Sequence, residues 1–221
     1  MTQLPTRVGV VGCGLMGSGI AEVAARAGRD VAVVESDAVT AERGLARIEA
    51  SLATAVTRGK MSDADRTAAL ARIEVTHDPD VLADRELVIE AVVEDEAAKV
   101  AVFERVDKIV TSDDAVLASN TSSIPIMKLA MATRRPESVV GLHFFNPVPV
   151  LKLVELVPSL LTSDSTIDRS ERFAVEALGK RVIRSQDRAG FVVNSLLIPY
   201  LLSAIRMLES GFATAEDIDA G

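Results

Sequence analysis

The chain has 221 residues, long for one ordinary domain and short for two full ones, and 48% of them are hydrophobic, enough to bury a sizeable core. A formal net charge of −8, aromatics at 3% and no tryptophan leave neither an electrostatic pull on a polyanion nor platforms for stacking bases, so no nucleic acid partner is expected. The single cysteine, Cys13, excludes an internal disulfide and a cysteine-rich metal cluster, and apolar stretches such as residues 196–202 are far too short to span a bilayer. The expectation is a soluble, cytoplasmic protein with no metal and no membrane partner.

The first element in chain order is an apolar strand over residues 7–11. It runs into Gly12-Cys13-Gly14-Leu15-Met16-Gly17, and a helical stretch over 15–27 follows directly. Strand, glycine turn and helix in this order are the pattern of a dinucleotide site, a chance glycine turn being the alternative. Gly12 allows the tight turn, Gly14 lets the backbone approach a pyrophosphate, Gly17 lets helix pack on strand, and the helix N-terminus offers unpaired N–H groups to the anion. Leu15 and Met16 complete the cofactor turn. A second apolar strand, 31–34, ends in Glu35, about 20 residues past the glycines, where a carboxylate meets the ribose hydroxyls. Glu35 repels a 2′-phosphate, and Ser36-Asp37-Ala38 supplies no arginine to neutralise one, so NAD is favoured over NADP. The alternative for Glu35 is a solvated charge at a strand end.

A long helical pattern over 39–58 comes next, and Ser62-Asp63-Ala64-Asp65 resembles a capping box opening a second helix to about residue 73. Together they make a helical hairpin, about 38–73, inserted into the nucleotide-binding pattern. Strands resume at 74–76, 87–91, 115–119, 139–143, 153–157 and 181–184, with helical stretches near 96–109 and 164–178. Such alternation specifies an α/β fold with an open, Rossmann-like, doubly wound and largely parallel sheet, its ligands at the carboxyl ends of the strands.

The polar stretch 185–190 divides an NAD-binding domain over 1–187 from a segment over 188–221. There residues 191–208 are apolar nearly all round, so the helix they form is expected to be buried, yet few residues follow to cover it. Thr214-Ala215-Glu216-Asp217 signals the start of one more helix. The expectation is the beginning of an all-α C-terminal domain that is truncated.

Of the two histidines, His77 lies among polar residues and reads as a surface loop residue. His143 ends a strand at the sheet's carboxyl edge, where an imidazole titrating near neutrality can take a proton from an alcohol as hydride leaves the carbon. Glu155, on the following and mostly apolar strand, is the natural acceptor to fix its tautomer, because an unpaired carboxylate there would be costly to bury. A structural histidine beside an unrelated glutamate is the alternative. Ser122 and Asn120, just after a strand, can meet either cofactor or a substrate oxygen, and Asn194 in the apolar helix is a buried amide that needs partners.

Three segments carry a more specific signal: Ser119-Asn120-Thr121-Ser122-Ser123; Gly141-Leu142-His143-Phe144-Phe145-Asn146-Pro147-Val148-Pro149 with Leu153-Val154-Glu155; and Gly190-Phe191-Val192-Val193-Asn194. In these the chain resembles the L-3-hydroxyacyl-CoA dehydrogenases, and among them the bacterial 3-hydroxybutyryl-CoA dehydrogenases, from Arg7 to the end. The resemblance implies NAD-dependent, reversible oxidation of a short-chain (S)-3-hydroxyacyl-CoA to the 3-oxoacyl-CoA, His143 as general base, Glu155 as its orienting partner, and Ser122 and Asn194 as hydrogen-bonding residues for substrate. It adds Asn146 as a further site position and Glu94 and Lys99 as cofactor contacts. Ser51, Arg58 and nearby Lys60 fall on the hairpin that the family uses for coenzyme A, whose phosphates need local cations on an acidic protein. Those charges would otherwise be read as solvated helix-end residues. The resemblance also implies a homodimer through C-terminal helices.

Two departures stand out: Ser195 replaces an arginine frequent in the family, and relatives continue for roughly another half-domain. A free hydroxy acid dehydrogenase on the same fold and a non-catalytic NAD-binding protein are the rival readings.

Overall fold

The structure, a computed structural model, describes residues 4–221. Eight strands run in the order β1 (Arg7–Val11), β2 (Asp30–Val34), β3 (Ile73–Thr76), β4 (Leu87–Glu90), β5 (Val116–Ser119), β6 (Val139–Phe144), β7 (Leu153–Pro158) and β8 (Arg181–Arg184). Eight helices accompany them: α1 (Leu15–Arg26), α2 (Ala38–Thr57), α3 (Asp63–Leu70), α4 (Glu96–Ile109), α5 (Ile126–Ala130), α6 (Asp164–Arg172), α7 (Val193–Glu209) and α8 (Ala215–Ala220). Helix α3 ends earlier than its sequence pattern suggests. Helix α6 passes into a π-helical turn, Phe173–Ala177, and α5 has too few residues to show a period.

One sheet holds all the strands in the order β3-β2-β1-β4-β5-β6-β7-β8. The six from β3 to β6 are parallel; β7 runs antiparallel to β6, and β8 parallel to β7. Strand order reverses between β1 and β4, and in a doubly wound sheet ligands bind in the crevice beyond that point.

Side chains alternate across the sheet, as a two-residue period requires. Val8, Val10, Leu87 and Ile89 pack with Ile20, Ile48 and Leu52 on one face, whereas Val88 and Leu117 pack with Phe103, Val106 and Leu129 on the other. Both faces are therefore covered, which is why these strands are continuous apolar runs.

Caps set most helix starts. Asp37 accepts from Thr40 N at 2.8 Å, Ser62 from Asp65 N at 3.0 Å, and Asp95 from Ala98 N at 2.8 Å. Asp187, in the polar stretch read as a boundary, holds α5 from afar: its carboxylate accepts from Ile126 N and Met127 N, both at 2.8 Å. Helix α1 has Gly14 at its N-cap and no side-chain cap.

The few residues that follow the apolar C-terminal helix do not cover it. No residue of α7 is buried, and Leu196, Ile198, Tyr200 and Ile205 are each at least half exposed. The reason is geometric: both faces of the sheet are already occupied, so no core surface is left for α7 to cover.

Candidate active site

At the end of β1, Gly12 takes φ +93°, and its N–H donates to Val34 O at 2.8 Å. That conformation suits glycine alone. A Cβ on Gly17 would stand 1.8 Å from Gly12 O, so α1 can start this close to β1 only without one. At Gly14 an added Cβ would meet, beyond its chain neighbours, no atom of the described residues within 4 Å, so the space beside it is open. Glu35 folds back on the turn, accepting from Cys13 N at 2.5 Å and from Ser36 N at 3.1 Å. Arg47, from α2, donates to Cys13 O at 2.6 Å. Burial, with the Glu35 charge second, pushes the Cys13 thiol up to about 12 despite Arg47, so it stays neutral and inert.

His143 and Glu155 are register partners across the antiparallel β6–β7 pair. His143 Nδ1 lies 2.7 Å from Glu155 Oε2, and both residues are buried. A carboxylate at Nδ1 keeps the proton there and leaves the Nε2 lone pair as the available base. The other Glu155 oxygen accepts from Val192 N and Val193 N, both at 2.9 Å, so one carboxylate ties the imidazole to the start of α7. Phe191, just before, has φ +45° and puts its ring 5.7 Å from that of His143, with Phe145 at 4.5 Å on the same imidazole. A bulky residue held in the left-handed region is strained, and here the strain brings an apolar wall to the base.

A third group lies under the carboxyl ends of β4 and β5. Glu90 accepts from Lys99 Nζ at 2.6 Å, Val92 N at 2.7 Å and Ser119 Oγ at 2.6 Å, all buried or nearly so. Lys99 also reaches Glu94 Oε2 at 3.2 Å. Glu94 Oε1 gathers the loop after β5, accepting from Thr121 Oγ1 at 2.5 Å, Ser122 N at 2.9 Å and Ser123 N at 3.2 Å. Partial burial alone would raise the Glu94 carboxyl, but the Thr121 and Ser122 hydrogen bonds and the Lys99 charge outweigh it and hold the pKa at about 2. A depressed folded-state pKa contributes stability that is present above about pH 4.5 and lost as pH falls through about 2. Glu94→Gln is therefore expected to flatten the fall in melting temperature between those limits. A wild-type slope in the variant would assign the acid transition elsewhere.

These pieces meet in one cavity of about 320 Å³, lined by Met16, Glu94, Lys99, Asn120, Ser122, His143, Asn146 and Asn194 among others. The structure thus brings together residues from the glycine turn, the loops after β4 and β5, α4, the end of β6 and the start of α7. One sequence expectation needs adjustment: Asn194 is half-buried rather than buried, because α7 has no cover beyond its first turn. Asn120 lines the cavity and also supports the fold, its Oδ1 accepting from Phe144 N at 2.9 Å. Ser51, Arg58 and Lys60 lie apart from the cavity, on a groove of about 620 Å³ that Pro147, Pro149 and Val150 also border. Asn146 edges the cavity and Pro147 the groove, so the two adjoin at this loop. His77 is exposed, as its polar surroundings suggest, and lines neither the cavity nor the groove.

Residues 7–188 match the 3-hydroxyacyl-CoA dehydrogenase NAD binding domain, and 190–221 match the 3-hydroxyacyl-CoA dehydrogenase C-terminal domain. The chain belongs to the 3-hydroxyacyl-CoA dehydrogenase family. It is 59% identical over 219 residues to a 3-hydroxybutyryl-CoA dehydrogenase of Mycobacterium tuberculosis, covering 99% of this chain and 77% of that one. The crystal structure of FadB2 from M. tuberculosis superposes with a TM-score of 0.96 at 59% identity, over 97% of this chain and 75% of that one. That of (S)-3-hydroxybutyryl-CoA dehydrogenase from Ralstonia eutropha gives 0.91 at 40%, over 96% and 75%.

As a member of the 3-hydroxyacyl-CoA dehydrogenase family, this chain is an NAD-dependent dehydrogenase, and the residues present fit the cofactor. The uncapped start of α1, the open space at Gly14 and the Glu35 carboxylate match a pyrophosphate followed by a ribose diol. Arg47 is the nearby arginine that sequence order hides, but its guanidinium is engaged with Cys13 O, while Glu35 and Asp37 present negative charge. NAD(H) is accordingly expected to bind at least about tenfold better than NADP(H), about 1.4 kcal/mol. Equal affinities by calorimetry would refute this. Glu90 and Thr121 are site-supporting residues that the sequence reading missed. For Glu90 a signal existed, a single carboxylate closing an apolar strand, the same pattern that marks Glu35.

Proposed function

We propose that this 3-hydroxyacyl-CoA dehydrogenase oxidises a short-chain (S)-3-hydroxyacyl-CoA, with (S)-3-hydroxybutyryl-CoA as its substrate, to the 3-oxoacyl-CoA, reversibly. The observation that carries the reading is the His143–Glu155 pair, 2.7 Å apart, whose imidazole lines a cavity with Ser122 and Asn194. The names of the similar proteins support the chain length.

His143 Nε2 takes the proton of the C3 hydroxyl, and the Glu155 carboxylate at Nδ1 stabilises the imidazolium that results. The glycine turn at Gly14 and the Glu35 carboxylate would hold NAD, which would supply the hydride acceptor for C3. Ser122 and Asn194 orient the substrate oxygens with hydrogen bonds. Glu94 holds the Ser122 loop in place, and the Lys99–Glu90 pair holds Glu94. Phe145 and Phe191 keep water from the imidazole, which strengthens each of these contacts. Ser51, Arg58 and Lys60 receive the coenzyme A moiety in the adjoining groove, the two cations meeting its phosphates.

The NAD-binding domain extends over 1–187 and the helical domain begins at 188. The exposed apolar residues of α7 support a homodimer formed through the C-terminal helices. A cytoplasmic location agrees with a single, buried cysteine, and among the described residues no helix is long and apolar enough to cross a membrane.

The test is NADH oxidation with acetoacetyl-CoA, longer 3-oxoacyl-CoAs and free acetoacetate. Consumption with acetoacetyl-CoA and not with the free acid is expected. Equal rates would favour a free hydroxy acid dehydrogenase, and no consumption with any of them a nucleotide-binding protein without this activity.

A further inference from the structure

Glu22, on α1, is 1% exposed. Its Oε1 accepts from Arg26 Nη1 at 3.1 Å, while Oε2 is buried and has no partner among the described residues. Buried carboxylate oxygens are normally matched by donors, because leaving one unmatched forfeits its hydration for nothing. Glu22 also lines the groove that Ser51, Arg58 and Lys60 border, and it is the single carboxylate among the lining residues. The groove's other wall, at Pro147, Pro149 and Val150, is held firmly: Lys180 Nζ donates to Val148 O at 2.5 Å and to Leu151 O at 2.7 Å.

We propose that Glu22 Oε2 accepts a hydrogen bond from an amide N–H of the pantetheine arm of the substrate. This rests on the acyl-CoA reading above. With the thioester at His143 and the phosphates at Arg58 and Lys60, the arm between them runs along this groove, and it carries two amide N–H groups. The cations of the groove can only donate, so they cannot pair with an amide N–H. Glu22 can, and its unmatched oxygen is the acceptor on offer. Arg26 balances the Glu22 charge, so the carboxylate can serve the arm without repelling the phosphates farther along.

The experiment is calorimetric binding, without NADH, of acetoacetyl-CoA and of two analogues in which one or the other pantetheine amide is an ester. The wild-type chain is expected to bind one of the esters about tenfold more weakly, since that ester lacks the donor. Glu22→Met, of similar shape but with no acceptor, is expected to bind amide and ester alike, and Glu22→Gln, which keeps a carbonyl acceptor, to retain part of the difference. Equal binding of all three ligands by the wild type overturns the proposal, as does full discrimination by Glu22→Met. The wild-type and Glu22→Gln comparisons decide the matter even if Glu22→Met fails to fold. Absence of any acetoacetyl-CoA binding overturns both this proposal and the substrate reading, whereas tight, amide-selective binding without turnover overturns the proposed reaction alone.

Discussion

His143→Gln is expected to lower turnover of acetoacetyl-CoA by roughly 10² to 10⁴, the usual contribution of a positioned general acid or base, while NAD affinity stays within about twofold. Glutamine suits the test because it is neutral and polar, places its amide near the position of Nε2, and leaves Glu155 itself unchanged. The carboxylate then keeps its bonds to Val192 N and Val193 N, and the start of α7 is not disturbed. What is lost is the lone pair at Nε2 and the capacity to hold a proton. Glu155→Gln is expected to cost less, because the imidazole remains and loses only its orientation and the charge that stabilises its protonated form. Single-turnover measurements separate this from substrate binding. Near-normal turnover in His143→Gln, in a protein that still binds NAD, would move the base to another residue.

The second large effect concerns the glycine turn, where two glycines are expected to respond differently to the same substitution. In Gly17→Ala the new methyl would lie 1.8 Å from Gly12 O, a backbone atom that cannot rotate away. Either α1 or the turn has to shift, at a cost on the order of 3 kcal/mol, which corresponds to a fall in melting temperature of about 6–12 °C for a chain of this size. In Gly14→Ala the methyl meets nothing within 4 Å, so the melting temperature is expected to hold. NAD affinity is expected to drop in both, in the first because the turn is displaced and in the second because the methyl occupies space beside the helix N-terminus that the pyrophosphate needs. Melting curves with and without NAD distinguish the two. Equal destabilisation by both substitutions would mean that Gly14 also serves internal packing.

Much of the architecture is legible in the residues alone. The glycine turn and its flanking strands, the caps at Ser62 and Thr214, and the strands around His143 and Glu155 all follow from patterns spanning a few positions. Local sterics and short hydrogen bonds decide such features, and residue type and spacing record them. Glu35 and His143 are legible for a related reason: each is a polar side chain closing an apolar strand, and the carboxyl end of a parallel strand is where a doubly wound sheet binds its ligands.

The tertiary structure decided the rest. A short apolar strand reads the same whether it pairs parallel or antiparallel, so only the assembled sheet makes β7 antiparallel to β6 and sets Glu155 opposite His143. Arg47 reaches Cys13 across 34 residues and Asp187 reaches Ile126 across 61, contacts whose sequence separation no local period encodes. The exposure of α7 belongs here too. Its composition specifies an apolar surface that favours burial, but whether a helix is covered depends on which core faces remain free once the other elements have packed, and both faces of this sheet were already taken.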